Sequence, residues 1–235
     1  MKIMIMRHGQ TDWNIGLRLQ GRTDIPLNEN GRSVARELGK KMAEEKIDLC
    51  ITSPLGRARE TAALILKENR RELPGTDPAL WPHGQAVTEQ GISFFTDDRI
   101  PEYCFGEWEG KIFKGPGYAL PVKEYGDYWE SLEDEVIYPG MEGKAKLLAR
   151  VRTFLNELTD RYGDTDKTIL VIVHGGVLRA VKVIADDDTQ TFRIQVPGNC
   201  EAFILAPDEN AAAAQAAKGI LPGNIKYGRR LKLIH

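Results

Sequence analysis

Uninterrupted apolar residues at positions 3 to 6 run straight into Arg7-His8-Gly9, the pattern of a short buried strand halted by a glycine turn. Between Asn28 and about Glu45, Val34, Ala35, Leu38 and Met42 fall on one helical face, and Asn28, just after Pro26, stands where an N-cap belongs. Ile47 to Thr52 reads as a second strand. Ser53-Pro54 then supplies an N-cap followed by proline at the first helical position, ahead of a helix reaching about Leu66. From Asn69 to Arg99 the chain holds Pro74, Gly75, Pro78, Pro82, Gly84 and Gly91 with no sustained period, so mainly loop is expected there.

Lys111 to Tyr138 mixes Gly115, Pro116, Gly117 and Pro121 with Phe113, Tyr118, Tyr125, Tyr128 and Trp129. That composition suits an excursion over a cleft better than a core element, and a lid inserted at 111–140 is expected. Leu148, Val151, Leu155 and Leu158 recur at helical spacing from about Glu142 to Tyr162, with Gly163 placed at C′. Thr168 to Val173 is nearly continuous in apolar character, as in a strand buried on both faces of a mostly parallel sheet. His174-Gly175-Gly176 and a helical Val177 to Ile184 follow. A strand at Glu201 to Leu205, an alanine-rich helix at Ala211 to Ala217 and a basic final strand around Lys226 to Ile234 complete the reading. The alternation of strands and helices predicts a layered α/β fold, and no internal repeat or second domain interrupts it.

Composition narrows the classes of function. The 235 residues, 42% of them hydrophobic, suffice to bury a core without disulfides or metals. Cys50, Cys104 and Cys200 are odd in number and far apart, so they read as reduced thiols rather than a disulfide framework or a zinc site. His8 is reached too soon for a signal h-region, and no apolar run approaches a membrane span, so a cytoplasmic location is expected. A formal net charge of -2, with basic residues scattered among acidic ones, gives no electrostatic footprint for nucleic acid or membrane. Anion binding must therefore be local.

In α/β sheets ligands gather beyond the carboxyl ends of strands. Three such ends here hold Arg7-His8-Gly9, the Ser53 to Arg59 turn and His174-Gly175-Gly176, which brings two histidines and one or two arginines to one edge. Guanidinium forks and helix N-terminal amides are what a phosphate site needs, and Arg7 and Arg57 are the candidates. Arg57 and Arg59 lie about 200° apart around a helix, so only one of them can enter the site. An imidazole with one ring nitrogen held by a backbone carbonyl leaves the other free to attack phosphorus, while arginines and a second histidine offset charge on the equatorial oxygens. This scheme needs no metal or other cofactor. It does need a general acid for the leaving oxygen, for which a glutamate is expected.

These residues resemble the histidine phosphatase superfamily, the group that contains the cofactor-dependent phosphoglycerate mutases. Arg7-His8-Gly9-Gln10-Thr11 with Asn14 is similar to the family signature, and Leu19-Gln20-Gly21-Arg22 through Asp24, Pro26, Leu27 and Gly31 continues in register. Ser53-Pro54-Leu55 through Arg57-Ala58 to Thr61-Ala62 resembles its second block, Arg99 to Gly110 its third, and Val173-His174-Gly175-Gly176 its fourth. The resemblance implies one three-layer α/β/α domain over 1–235, with a mostly parallel central sheet. It implies that His8 is the phosphorylated nucleophile, that Arg7, Arg57 and His174 complete the phosphate pocket, and that Asn14, Gln20, Gly21 and Gly175 line it. Glu102 occupies the family's acid position, with Glu107 and Glu109 close by in sequence. The motif selects Arg57 over Arg59, while Arg59, Arg22, His83 and His235 default to the surface.

The expected activity is metal-independent hydrolysis of a phosphomonoester, with Glu102 first acid and then base. A mutase is the rival, but family mutases have an arginine- and lysine-bearing segment after the acid, whereas Gly106-Glu107-Trp108-Glu109-Gly110 resembles the phosphatase branches. A non-catalytic phosphate-binding protein on the same fold is a second alternative, although no pocket residue is missing. The implied partner is a small phosphomonoester, not nucleic acid or membrane, and self-association into a homo-oligomer stays open. The 69–100 stretch and the tail after Pro207 are longer than the resemblance leads one to expect.

Overall fold

The structure is a computed structural model that describes residues 1–70, 74–123, 125–130, 138–186, 192 and 195–207, together with the backbone of 231–234. In chain order these form β1 (Lys2–Arg7), α1 (Asp12–Ile15), α2 (Glu29–Lys41), β2 (Leu49–Thr52), α3 (Gly56–Lys67), β3 (Gln85–Glu89) and β4 (Ile92–Thr96). A 3₁₀ turn at Gly106–Trp108, α4 (Tyr125–Tyr128), α5 (Lys144–Tyr162), β5 (Thr168–Val173), α6 (Gly175–Asp186), β6 (Ala202–Pro207) and β7 (Leu231–Ile234) follow. The sheet order is β3-β4-β2-β5-β1-β6-β7. Its centre is parallel, because β4, β2, β5 and β1 all run one way, while β3, β6 and β7 are antiparallel additions at the two edges.

The period-2 alternation of the strands sorts their side chains into two cores. Ile3, Ile5, Ile51, Phe95, Val171 and Val173 point to one face and pack with Val151, Phe154 and Leu155 of α5 and Val177, Leu178 and Val181 of α6. Met4, Met6, Cys50, Phe94, Leu170 and Ile172 point to the other and pack with Ala35 of α2 and Ala58, Ala62 and Ile65 of α3. Helices thus cover both faces, giving a three-layer α/β/α sandwich. Among the described residues no helix is long and apolar enough to cross a membrane.

Strand register positions the site. Arg7 pairs with Val173, Thr52 with Ile172, and the His8 and Ser53 amides donate to the Val173 and Ile172 carbonyls, both at 2.9 Å. The residues that follow the three strands, His8, Ser53 and His174, therefore emerge side by side at the carboxyl edge.

Several sequence expectations are corrected. Ser53 does not cap α3: its hydroxyl accepts the Leu55 amide at 3.3 Å in a local turn, and Leu55 is the cap residue. The α3 amides are instead served from a distance, since Asp24 Oδ2 accepts the Gly56 amide at 2.8 Å. The expected loop at 69–99 contains the β3-β4 hairpin, turned at Gln90-Gly91, both in the left-handed region. Its alternation was obscured because β3 is half exposed and mostly polar on its outer side. Gly163 ends α5 with φ −51°, not in the left-handed C′ conformation. The aromatics of the expected lid are also core: Tyr128 and Trp129 are buried against Tyr103, Phe105 and Trp108. The Ala211 to Ala217 helix lies outside the described residues, as does His235. The helix from Asn28 ends at Lys41, α6 starts two residues before Val177, and Asn28 does cap its helix, accepting the Gly31 amide at 2.8 Å.

Candidate active site

His8 and His174 meet where their strands end, with ring centroids 5.1 Å apart and planes inclined by 54°. Both are buried, at 2% and 0% exposure. His8 Nδ1 lies 2.6 Å from the Gly9 carbonyl oxygen. A carbonyl only accepts, so Nδ1 holds the proton and the lone pair resides on Nε2. The turn that sets this tautomer is itself fixed. Asn199 Nδ2 donates to the His8 carbonyl at 2.8 Å and to the Gly9 carbonyl at 3.2 Å, and the Gly9 amide donates to Thr61 Oγ1 at 2.9 Å.

Burial drives the pKa of His8 well below the ordinary imidazole value, and the charges of Arg57 and Arg7 push it the same way against the Gly9 carbonyl. His174 is lowered likewise, first by burial, then by Arg57, His8, Arg150 and Arg7. Both rings are therefore held neutral at neutral pH. A neutral imidazole has the lone pair that nucleophilic attack requires.

Two guanidinium groups supply the positive field. Arg7 ends β1 and Arg57 sits in the first turn of α3 with its side chain fully buried. Arg57 donates to the Thr23 carbonyl at 2.8 Å and the Gly21 carbonyl at 2.7 Å, and stands 3.7 Å from Asp24. It thereby fixes the 20–24 loop. Arg59 turns the other way, to Glu89 at 3.5 Å, as the angular spacing on the helix requires. Burial lowers the pKa of Arg7 and of Arg57, with Glu102 the largest opposing influence on each. Among the described residues, Arg7 Nε, Arg57 Nε and both ring nitrogens of His174 are buried without a hydrogen-bond partner, as is one acceptor, Gln20 Oε1. Unmade donors are costly in a protein interior and gather where a ligand completes them. Their chemistry fits an oxyanion.

The Glu102 carboxylate lies on the N-terminus of α6, accepting the Gly176 amide at 3.0 and 3.2 Å and its neighbour Tyr103's amide at 2.8 Å. A Cβ on Gly175 would sit 3.8 Å from both Arg7 Cζ and Glu102 Oε2, so carboxylate and guanidinium flank that glycine. The other glutamates of the segment are placed differently. Glu107 is exposed, and Glu109 is engaged by the Arg22, Thr23 and Phe105 amides at 3.0, 2.9 and 3.2 Å. Gly21 adopts φ +53°, and a Cβ there would come within 2.0 Å of Glu109 Oε1, which explains glycine at this position.

Asn14 is the third residue of a capping box: its Oδ1 accepts the Thr11 amide at 3.0 Å and faces Asn199 Nδ2 at 3.4 Å. Arg7, His8, Glu102, His174 and Gly175 thus meet at one sheet edge, Arg57 ties Gly21 to it, Asn14 faces the Asn199 that holds the His8-Gly9 turn, and Gln20 is buried next to Gly21. Asn199, Arg22, Glu142 and Arg150 were not anticipated. Asn199 sits in a Pro-Gly-Asn turn with no catalytic signature, and only its place before the strand that pairs with β1 could have drawn attention to it. Among the described residues no group of three or more His, Cys, Asp or Glu side chains is placed to hold a metal ion.

The sequence matches the profile of the histidine phosphatase superfamily (branch 1) over residues 3–80 and 84–218. It is 30% identical over 179 residues to the uncharacterized phosphatase PhoE of Bacillus subtilis (strain 168), covering 76% of this chain and 74% of that one. It is also 30% identical over 186 residues to 2,3-bisphosphoglycerate-dependent phosphoglycerate mutase 2 of Gloeobacter violaceus, covering 78% and 75%. A mycobacterial glucosyl-3-phosphoglycerate phosphatase solved in complex with VO3 superposes with a TM-score of 0.69 at 21% identity, over 99% of this chain and 96% of that one. At that identity the likeness concerns the fold.

Proposed function

Because the chain belongs to the histidine phosphatase superfamily (branch 1), whose members here include phosphatases and mutases, we propose that it hydrolyses phosphomonoesters through a phosphohistidine on His8. The observation that supports this reading most is the tautomer of His8: Nδ1 is tied to the Gly9 carbonyl, and Nε2 is the nucleophile, amid buried donors that lack partners.

In the proposed reaction the Nε2 lone pair attacks phosphorus in line. The N–P bond forms as the ester P–O bond breaks, and protonated Glu102 delivers its proton to the departing oxygen. Arg7, Arg57 and His174 stabilise the equatorial oxygens, and loss of one such preorganised donor typically costs about 10²- to 10³-fold in rate. Asn14, Gln20, Gly21 and Gly175 line the phosphate pocket. Glu102, now a carboxylate, then takes a proton from water as its oxygen attacks the phosphohistidine, which releases inorganic phosphate and restores both groups. The charge work is done by guanidinium groups, so the proposed chemistry is metal-independent. The three cysteines are free, in keeping with a cytoplasmic enzyme.

Hydrolysis is favoured over mutase chemistry by the segment that follows Glu102. Glu109 locks it onto the 22–23 amides, and no arginine or lysine occurs between Tyr103 and Gly110 to hold a second acidic group of a re-binding intermediate. The segment at 111–140 is proposed as a lid, anchored to the core where its Trp129 packs on Tyr103 and Phe105. Incubation with 3-phosphoglycerate and a trace of 2,3-bisphosphoglycerate tests the assignment. Free phosphate is expected, and rapid formation of 2-phosphoglycerate without phosphate release would overturn it.

A further inference from the structure

The acid-bearing loop is held by a buried ion pair that touches none of the phosphate-pocket side chains, although the charge of Arg150 is felt at His174. The side chain of Glu142, in the turn before α5, is 1% exposed, and its two oxygens accept Arg150 Nε at 2.6 Å and Nη2 at 2.9 Å. A carboxylate so buried needs such a fork to be tolerated. The arginine does not stop there. Its Nη1 donates to the Arg99 carbonyl at 2.7 Å and its Nη2 to the Glu102 carbonyl at 3.3 Å, so one guanidinium grips the main chain on both sides of the turn that ends at the acid.

Two further contacts extend the grip. Arg22 reaches the same Glu142 carboxylate at 3.2 Å, and its Nε faces the same Glu102 carbonyl at 3.5 Å. Arg22 belongs to the loop whose Gly21 and Thr23 carbonyls accept Arg57. Glu142 also bonds Cys104 through both backbones, its amide donating to the Cys104 carbonyl at 3.1 Å while its carboxylate faces the Cys104 amide at 3.4 Å. One buried carboxylate therefore joins the loop on the phosphate side, the loop on the acid side and helix α5. A pair that served only to fasten α5 to its neighbour would have no reason to converge on the Glu102 carbonyl from two directions.

We propose that Glu142 and Arg150 are positioning residues for the acid step: they fix the main chain from which Glu102 projects, so that its carboxylate meets the leaving oxygen. The proposal rests on the reading of Glu102 as the general acid. Proton transfer is sensitive to placement, and a displacement of about 1 Å costs on the order of 10²-fold. Alkyl leaving groups need that proton, whereas 4-nitrophenolate scarcely does.

The test compares full-length Arg150→Lys and Glu142→Gln with the parent on an alkyl phosphate and on 4-nitrophenyl phosphate, with thermal melts to confirm folding. Each variant is expected to lose about 10- to 100-fold in kcat/KM, which reports phosphorylation of His8 and not the shared hydrolysis step, on the alkyl ester and under about 3-fold on the nitrophenyl ester. Glu102→Gln alone and combined with Arg150→Lys are measured alongside. The double variant is expected to be no slower than Glu102→Gln, because the clamp acts only through the acid. Equal losses on both esters, or additive losses in the double variant, overturn the positioning role even while Glu102→Gln keeps its selectivity. If Glu102→Gln itself shows no selectivity, the acid assignment falls and the positioning role falls with it. Should one clamp variant not fold, the other decides by the same criteria.

Discussion

Nδ1 of His8 donates its proton to the carbonyl oxygen of Gly9, the next residue in the chain, across 2.6 Å. The proposed nucleophile is thus oriented by its own turn, and Asn199 and Thr61 hold that turn from two other segments. Exposed imidazoles titrate near pH 6.5, and a neutral, buried one with a committed tautomer behaves differently.

The pH dependence follows from that difference. Burial and the two arginines lower the His8 pKa, so the acid limb of kcat/KM is expected below pH 6.5 rather than at it. The same shift links to stability. The folded protein binds fewer protons than the unfolded chain below about pH 6.5, so the contribution of His8 and His174 is fully present above that pH and is lost as pH falls toward the depressed folded values. Thermal melts across pH 4 to 8 check this, and His174→Asn is expected to flatten the acid side of the curve.

Glu102→Gln keeps the hydrogen bonds from Gly176 and Tyr103 but has no proton to give. The kcat/KM for alkyl phosphates is expected to fall by about 10²- to 10⁴-fold, and that for 4-nitrophenyl phosphate by much less, while the shared hydrolysis of the phosphohistidine slows for both. Steady-state rates on a graded series of leaving groups measure the difference in slope.

Gly176→Ala probes the same carboxylate from the other side. The new methyl would lie 2.6 Å from Glu102 Oε1, the free end of a side chain, and 3.0 Å from Cβ of buried Tyr103, so the carboxylate moves and the 102–103 main chain must give by a few tenths of an ångström. Alanine in the first turn of α6 is a better helix former than glycine by up to about 1 kcal/mol. The crowding against Tyr103 offsets that gain, so the expected variant folds with stability within about 1 kcal/mol of the parent and shows Glu102→Gln-like selectivity among leaving groups.

Chelation should leave the rate unchanged, because Arg7, Arg57 and His174 supply the charge that a metal would otherwise bring. Assays after exhaustive EDTA treatment, with and without added magnesium, check it. Strict magnesium dependence would contradict the metal-free scheme.

Much of this was legible in the sequence because the informative residues sit at strand ends. A continuous apolar strand followed by His-Gly announces both a buried β-strand and what stands at its edge, and parallel register then forces His8 beside His174. Angle alone admitted only one of Arg57 and Arg59 to the site, and the family motif chose Arg57. The β3-β4 hairpin was illegible because its outer strand is polar and its turn uses Gln90 in the left-handed region, a residue that gives no turn signal. Asn199 and the Glu142–Arg150 pair were illegible for another reason. Their partners are main-chain carbonyls at great sequence distance, and a carbonyl leaves no mark in the pattern of side chains. Glu109 illustrates the limit within a motif: it lies seven residues from Glu102, the resemblance chose Glu102 as the proposed acid, and the fold adds that Glu109 anchors the 22–23 loop.

The central claim, a phosphoryl group held on His8 Nε2, is tested most directly by rapid quench with an alkyl phosphate followed by mass spectrometry of the digested protein. The account predicts an acid-labile, base-stable phosphoryl group on the peptide containing His8, formed at a rate no slower than turnover and absent in His8→Asn. Full turnover without any such adduct, or an adduct on another residue, would contradict it.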